Sequence, residues 1–195
     1  ACAKHFPGHG DTEVDSHKAL PVLKFPKERL DSVELYPFRR LIKDGVEMVM
    51  VGHLLVPVLD TLPASVSKVV VTDLLRKKMK FRGLIITDAL GMEGVLEPFG
   101  GSGAKATLAA YKAGVDILLM PDNVSESIDL IVDYIGDDRR KLKDLDARVS
   151  RVLALKGKCG KLTGRDDLSV DPAAVDTKGT DALITTIEET LAAGR

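Results

Sequence analysis

Along the chain, short apolar runs alternate with longer stretches of helical periodicity, and polar loops separate the two. Glu47-Met48-Val49-Met50-Val51 reads as a buried strand that delivers Gly52 and His53 at its C-terminal end. Gly83 introduces a second run, Leu84-Ile85-Ile86-Thr87, which ends in Asp88. Val115 to Met120 forms a third, interrupted only by Asp116 and followed by Pro121-Asp122. Between the runs lie amphipathic segments. Asp31 and Ser32 are candidate caps for a helix in which Phe38, Leu41 and Ile42 share a face; its main part begins at Pro37 and Gly45 ends it. Ser65 or Ser67 can cap a second helix, with Val70, Leu74 and Leu75 on one side. Arg76, Lys77, Lys78 and Lys80 gather at its C-terminal end, where cations suit the helix dipole. Further helices are expected from Ala104 to Ala113, from Ser125 to Ile135 and from Leu142 to about Lys156.

Continuous apolar strands separated by amphipathic helices predict an α/β fold with a parallel sheet covered on both faces. If Ala1-Cys2-Ala3 is the tail of one more strand, the chain holds four strand–loop–helix units. Such architectures place their chemistry at the C-terminal strand ends, where the loops converge. His53, Asp88, the Pro121-Asp122 turn and the loop after Ala3 all fall there. From Cys159 onward the pattern fades into Gly160, Gly164, Asp166-Asp167 and Pro172, and one last helix is expected from about Thr180 to Ala193. Residues 1–160 therefore read as one structural unit, and 161–195 as a linker-like segment with a terminal helix.

Composition narrows the partners. At 195 residues and 45% hydrophobic content the chain is long enough to bury a sizeable core. Its 28 basic and 29 acidic side chains leave a net charge of −1, with no basic excess for nucleic acid or an anionic membrane. No apolar run approaches the ~20 residues of a membrane-spanning helix, and two isolated cysteines do not make a disulfide framework.

The densest candidate chemistry is Lys4-His5-Phe6-Pro7-Gly8-His9-Gly10-Asp11-Thr12, continued by Asp15-Ser16-His17, which holds three of the four histidines. Pro7, Gly8 and Gly10 forbid a regular helix, so His5 and His9 cannot align as helical metal ligands. No H-E-x-x-H or paired C-x-x-C motif occurs, and no metal or other cofactor is expected. Gly100-Gly101-Ser102-Gly103 does not complete a phosphate-binding pattern and is better read as a helix-capping turn. Asp15 and His17, two apart in an extended loop, point the same way, so the carboxylate can hold and charge the imidazole; an ordinary surface pair would look the same. Asp88, taken by itself, is either a helix cap or loop residue or a nucleophile.

Taken together, the Lys4–Thr12 motif with Asp15-Ser16-His17, Met48-Val49-Met50 leading to His53, Ile85-Ile86-Thr87-Asp88-Ala89-Leu90 with Met92, and Ala113-Gly114-Val115-Asp116 resemble glycoside hydrolase family 3. The resemblance covers residues 1 to about 158 and is closest to the β-N-acetylglucosaminidase (NagZ-like) branch. It implies a (β/α)8 TIM barrel of which this chain holds only the second half, strands 5–8 and their helices. It also implies a retaining exo-β-N-acetylglucosaminidase that acts on peptidoglycan fragments or chitooligosaccharides. By resemblance, Asp88 is the nucleophile, His17 the acid/base and Asp15 its orienting partner. Lys4 and His5 match the pair that hydrogen-bonds sugar hydroxyls. His53 is placed at the pocket, either lining it or bracing the neighbouring loop, and Met92 at its rim. Gly8 and Gly10 are expected to serve as hinges for a mobile catalytic loop.

Because histidine titrates near neutrality, an anionic acceptor such as phosphate is a conceivable competitor of water. The readings kept beside the hydrolase are therefore a glycoside phosphorylase, a family 3 β-glucosidase, and an inactive half-barrel acting only in binding or assembly. A half-barrel exposes sheet edges, so pairing with a missing N-terminal half, or self-association, is expected. The family includes cytoplasmic and exported members.

Overall fold

The structure, a computed structural model, describes residues 1–10 and 20–160. Asp15, His17 and the segment 161–195 lie outside the described residues. The sheet has three parallel strands, β1 (Cys2–Phe6), β2 (Met48–Val51) and β3 (Leu84–Thr87), side by side in chain order. Met48, Val49, Met50 and Val51 pair in unbroken register with Leu84, Ile85, Ile86 and Thr87, whereas the β1–β2 register shifts between Ala3 and Phe6. The ladder runs on past the strand ends: Gly52 N–H donates to Phe6 O and Asp88 N–H to Val51 O, each at 2.9 Å. His5, Gly52-His53 and Asp88 are thereby brought to the same end of adjacent strands.

Why these stretches are strands follows from their burial. Phe6, Val49, Val51 and Ile85 are wholly buried, covered by helices on either side. Helix α1 spans 27–43 and opens at Pro26, which needs no donor there. Its middle, Leu30–Glu34, winds in wide π-type turns before the regular segment Leu35–Lys43. The expected caps Asp31 and Ser32 lie inside this helix; the Ser32 hydroxyl donates back to the Glu28 and Arg29 carbonyls. Pro37 falls in the first turn of the regular segment, directly after the π-type turns, rather than at the start of the helix. Leu35 and Phe38 form the buried face and Phe38 packs edge-on against Phe6 at 5.1 Å, while Leu41, expected on that face, is 43% exposed.

Between β2 and β3, a short turn (Ala64–Val66) leads into α2 (Val69–Lys78). Of the two candidate caps Ser67 serves, accepting from Val70 N–H at 3.1 Å, and Ser65 turns elsewhere. After β3, a short helix (Glu93–Leu96) precedes α3 (Gly103–Ala113), whose cap Ser102 follows the left-handed pair Gly100 and Gly101. That glycine cluster is a capping turn. Helices α4 (Val124–Ile135) and α5 (Arg139–Lys158) begin at Asn123 and Asp138, each accepting a first-turn N–H. No helix among the described residues is long and apolar enough to cross a membrane.

The expected strand from Val115 to Met120 is not a strand. It makes a single parallel bridge, Ile86 to Ile117. Asp116 and Ile117 both donate their N–H to one carbonyl, Ile85 O, which breaks the alternation that a ladder requires. The Asp116 side chain, fully buried, is the cause: it accepts from Ile85 N–H at 2.8 Å, from Arg76 at 2.6 Å and from Arg151 at 2.7 Å. This knot ties α2, β3 and α5 at the N-terminal ends of the strands, away from Asp88.

Candidate active site

Asp88 follows β3 directly, and its side chain is 22% exposed, enough to be reached from outside. Its N–H is taken by Val51 O, and its Oδ1 accepts from Ala89 N–H at 2.9 Å. That bond leaves Oδ2 facing His5 Nε2 at 3.6 Å, beyond hydrogen-bond length but close enough for charge to be felt. His5 lies on β1, so two strand ends on either side of β2 supply the pair. Burial lowers the His5 pKa from its ordinary value; Asp88 opposes that shift, and Lys4 and His9 add to it. A neutral His5 beside Asp88 can offer a hydrogen bond to a polar ligand without carrying charge.

Lys4 is exposed at the same end, and the His5 and His9 rings meet edge to face at 6.0 Å. Together with Gly8, Gly10 and Glu34 these residues line a cavity of about 310 Å³. Gly8 has φ +134°, and a Cβ there would stand 2.7 Å from Glu34 Cβ, so the start of the loop rests directly on α1. Glu34 is itself buried and is held through Oε1 by Arg29 at 3.1 Å. Among the described residues no group of three or more His, Cys, Asp and Glu side chains is arranged to hold a metal ion.

His53 stands at the C-terminal end of β2, between the other two strand ends, and is only 2% exposed. Its Nδ1 is 2.6 Å from Ser65 Oγ and its Nε2 is 2.8 Å from Ala89 O. Both ring nitrogens are thus engaged by protein groups. Met92 is half-buried just before the Glu93–Leu96 helix, with its N–H donated to Ala89 O at 3.2 Å. The arrangement brings together Lys4, His5, His53, Asp88 and Met92 around one end of the sheet. The dyad Asp15 and His17 and most of the loop for which Gly8 and Gly10 are the expected hinges lie outside the described residues.

Three contributors were not singled out from the sequence. Ser65 was read only as a capping candidate. Ala89 acts through its backbone. Thr87, wholly buried before Asp88, accepts from Leu119 N–H at 3.0 Å and so fixes the neighbouring segment. A hydroxyl ending an otherwise apolar strand was the one signal available.

Known proteins with this pattern are consistent among themselves. The family model described as the glycosyl hydrolase family 3 N terminal domain matches residues 1–155. "Beta-hexosaminidase A" of Pseudoalteromonas piscicida is 33% identical over 177 residues, 80% of this chain and 29% of its own length. The "Beta-hexosaminidase" of Neisseria gonorrhoeae (strain NCCP11945) is 40% identical over 129 residues, 65% of this chain and 35% of its own. A solved family 3 β-N-acetylglucosaminidase from Paenibacillus superposes with a TM-score of 0.74 at 35% identity, covering 88% of this chain and 34% of that one. The chain spans about a third of the length of the curated relatives it matches.

The matched domain is the N-terminal one of the family, which corrects the expected label of a C-terminal half: the chain is part of the N-terminal region. That label came from the motif resemblance, which implied strands 5–8 of the barrel. The parallel sheet and its helices belong to the TIM-barrel-like α/β fold of that domain. With the family model matched over residues 1–155, this chain belongs to glycoside hydrolase family 3.

Proposed function

We propose that the protein containing this chain is a retaining exo-β-N-acetylglucosaminidase that removes terminal N-acetylglucosamine from peptidoglycan fragments or chitooligosaccharides. The observation that carries this reading is the convergence of His5 and Asp88, 3.6 Å apart, at the strand ends on either side of β2, in a chain whose named relatives are β-hexosaminidases. In this scheme Asp88 Oδ2 attacks the anomeric carbon and forms a covalent glycosyl-enzyme that water opens with net retention. His17 protonates the leaving oxygen and later takes a proton from water, with Asp15 holding its ring and stabilising the imidazolium. Lys4 and His5 bind sugar hydroxyls, and Met92 packs at the rim. No cofactor enters the scheme. In this reading the three-stranded sheet and its helices within residues 1–160 form an arc of a (β/α)8 barrel, completed by the rest of the protein.

The test uses the full-length protein and a chromogenic N-acetyl-β-glucosaminide. Asp88→Ala is expected to abolish turnover, and His17→Ala to lower kcat by about 10²- to 10⁴-fold, the usual worth of a general acid/base. Wild-type rates in both variants would end this assignment. Faster turnover of a β-glucoside than of the N-acetyl substrate would redirect it to a glucosidase.

A further inference from the structure

We propose that His53 is a positioning residue for Asp88, locking the peptide at Ala89 so that the carboxylate presents Oδ2 to the substrate. This inference rests on the glycosidase reading above and assigns a role within it. Ala89 is gripped at both ends. Its N–H donates to Asp88 Oδ1 at 2.9 Å, and its carbonyl accepts from His53 Nε2–H at 2.8 Å. A carbonyl can only accept, so the proton sits on Nε2, and Nδ1 is free to accept the Ser65 hydroxyl at 2.6 Å. Ser65 is wholly buried on the turn Ala64–Val66, which is anchored in turn by Ala64 N–H on Leu54 O at 2.8 Å. The chain of contacts therefore runs from a rigid turn through one imidazole tautomer to the backbone that orients the nucleophile.

Two other roles fit less well. With 2% exposure and both nitrogens engaged, the ring has no edge to offer a sugar. A purely packing histidine would need neither a hydroxyl nor a carbonyl at hydrogen-bond distance. The neighbouring bonds explain why the histidine matters at this point. Asp88 N–H on Val51 O and Leu90 N–H on Leu119 O fix the residues on either side, both at 2.9 Å. The Ala89 carbonyl is otherwise met by Met92 N–H at 3.2 Å, a longer contact from a residue of the same loop. His53 alone ties that carbonyl to a separate strand by a side chain.

The experiment compares His53→Leu, His53→Gln and Ser65→Ala in the full-length protein, with Asp88→Ala as the control. Leucine fills the space but donates nothing, whereas glutamine can still reach Ala89 O. Turnover is measured per active site, the sites being counted with a fluorinated N-acetylglucosaminyl fluoride that traps the glycosyl-enzyme. Expected is a fall of about 10- to 100-fold in kcat for His53→Leu, as for a sub-ångström to 1 Å misplacement of a reacting group. KM should stay within about threefold, because binding contacts are untouched. His53→Gln should recover most of the loss, and Ser65→Ala should sit between it and wild type. Nitrogen-15 NMR of the labelled imidazole, which reads the tautomer without any turnover, should show Nε2 protonated in wild type and still in Ser65→Ala, where Ala89 O continues to hold that proton and only the Nδ1 signal moves with the loss of its hydroxyl donor; a wild-type ring protonated on Nδ1 alone would overturn the positioning role. A His53→Leu loss that only follows the number of active sites, or equal losses in the leucine and glutamine variants, would overturn the positioning role while leaving the glycosidase reading intact. Wild-type turnover in Asp88→Ala would overturn both.

Discussion

At the scale of single residues, the site is built on small steric and protonic choices. Gly8 is the clearest steric one. Its φ of +134° is costly for any residue with a Cβ, and an added methyl would press on Glu34. Gly8→Ala is therefore expected to destabilise the folded protein by about 1–3 kcal/mol, the usual cost of overpacking, as read by urea unfolding. His53 is the protonic one. Burial lowers its pKa from the ordinary 6.5, outweighing its contact with Ala89 O and the nearby Asp88 charge. The unfolded chain thus binds more protons than the folded one just below pH 6.5. The stability held by a neutral His53 is complete above that value and is lost as pH falls toward the depressed folded value. Unfolding free energies at pH 7.5 and 5.5 should drop on acidification in wild type and less so in His53→Gln. A wild-type protein that gains stability on acidification would contradict this.

At the scale of elements, β2 and β3 were legible because each is a short apolar run with a sharp end, Gly52-His53 after the first and Thr87-Asp88 closing the second. Their ends told where Asp88 and His53 would stand. The role of His53 was not legible, since its partners Ser65 and Ala89 are remote in sequence and one of them acts through its backbone. Helix α1 was found late by its sequence signals for a different reason. It opens at Pro26 without a side-chain cap, and its π-type turns depart from the 3.6-residue period on which helical patterns are read. The segment after Gly114 was misread because apolar content alone marks a strand, whereas the buried Asp116 pulls its backbone out of register. That carboxylate joins two arginines and the Ile85 N–H, all at the strand ends remote from the site. Asp116→Ala leaves two cations partly buried without their partner, so a loss of about 3–5 kcal/mol is expected in unfolding experiments. KM of the folded fraction should stay at the wild-type value; a change confined to KM would show that Asp116 acts on substrate instead.

At the scale of the whole molecule, the described residues hold three parallel strands with helices around them, and the chain spans about a third of its relatives' length. Among the described residues β1 pairs only with β2, and an unpaired strand edge invites another chain. The 195-residue chain by itself is accordingly expected to self-associate in gel filtration and to leave a chromogenic N-acetylglucosaminide uncleaved, whereas the full-length protein turns it over. A monomeric, fully active 195-residue chain would contradict that view. The resemblance read from Lys4 to Thr12 and from Ile85 to Leu90 carried the family, because those motifs are long and ordered along the chain. The part of the family's architecture they were expected to occupy, the second half of the barrel, was relabelled as part of the N-terminal region by the match to that domain. The claim on which the functional reading turns is that Asp88 is the nucleophile. Trapping the full-length protein with a fluorinated N-acetylglucosaminyl fluoride, followed by proteolysis and peptide mass spectrometry, tests it most directly. The expected result is one sugar attached to Asp88; a sugar on any other residue, or full turnover with no adduct at all, would contradict it.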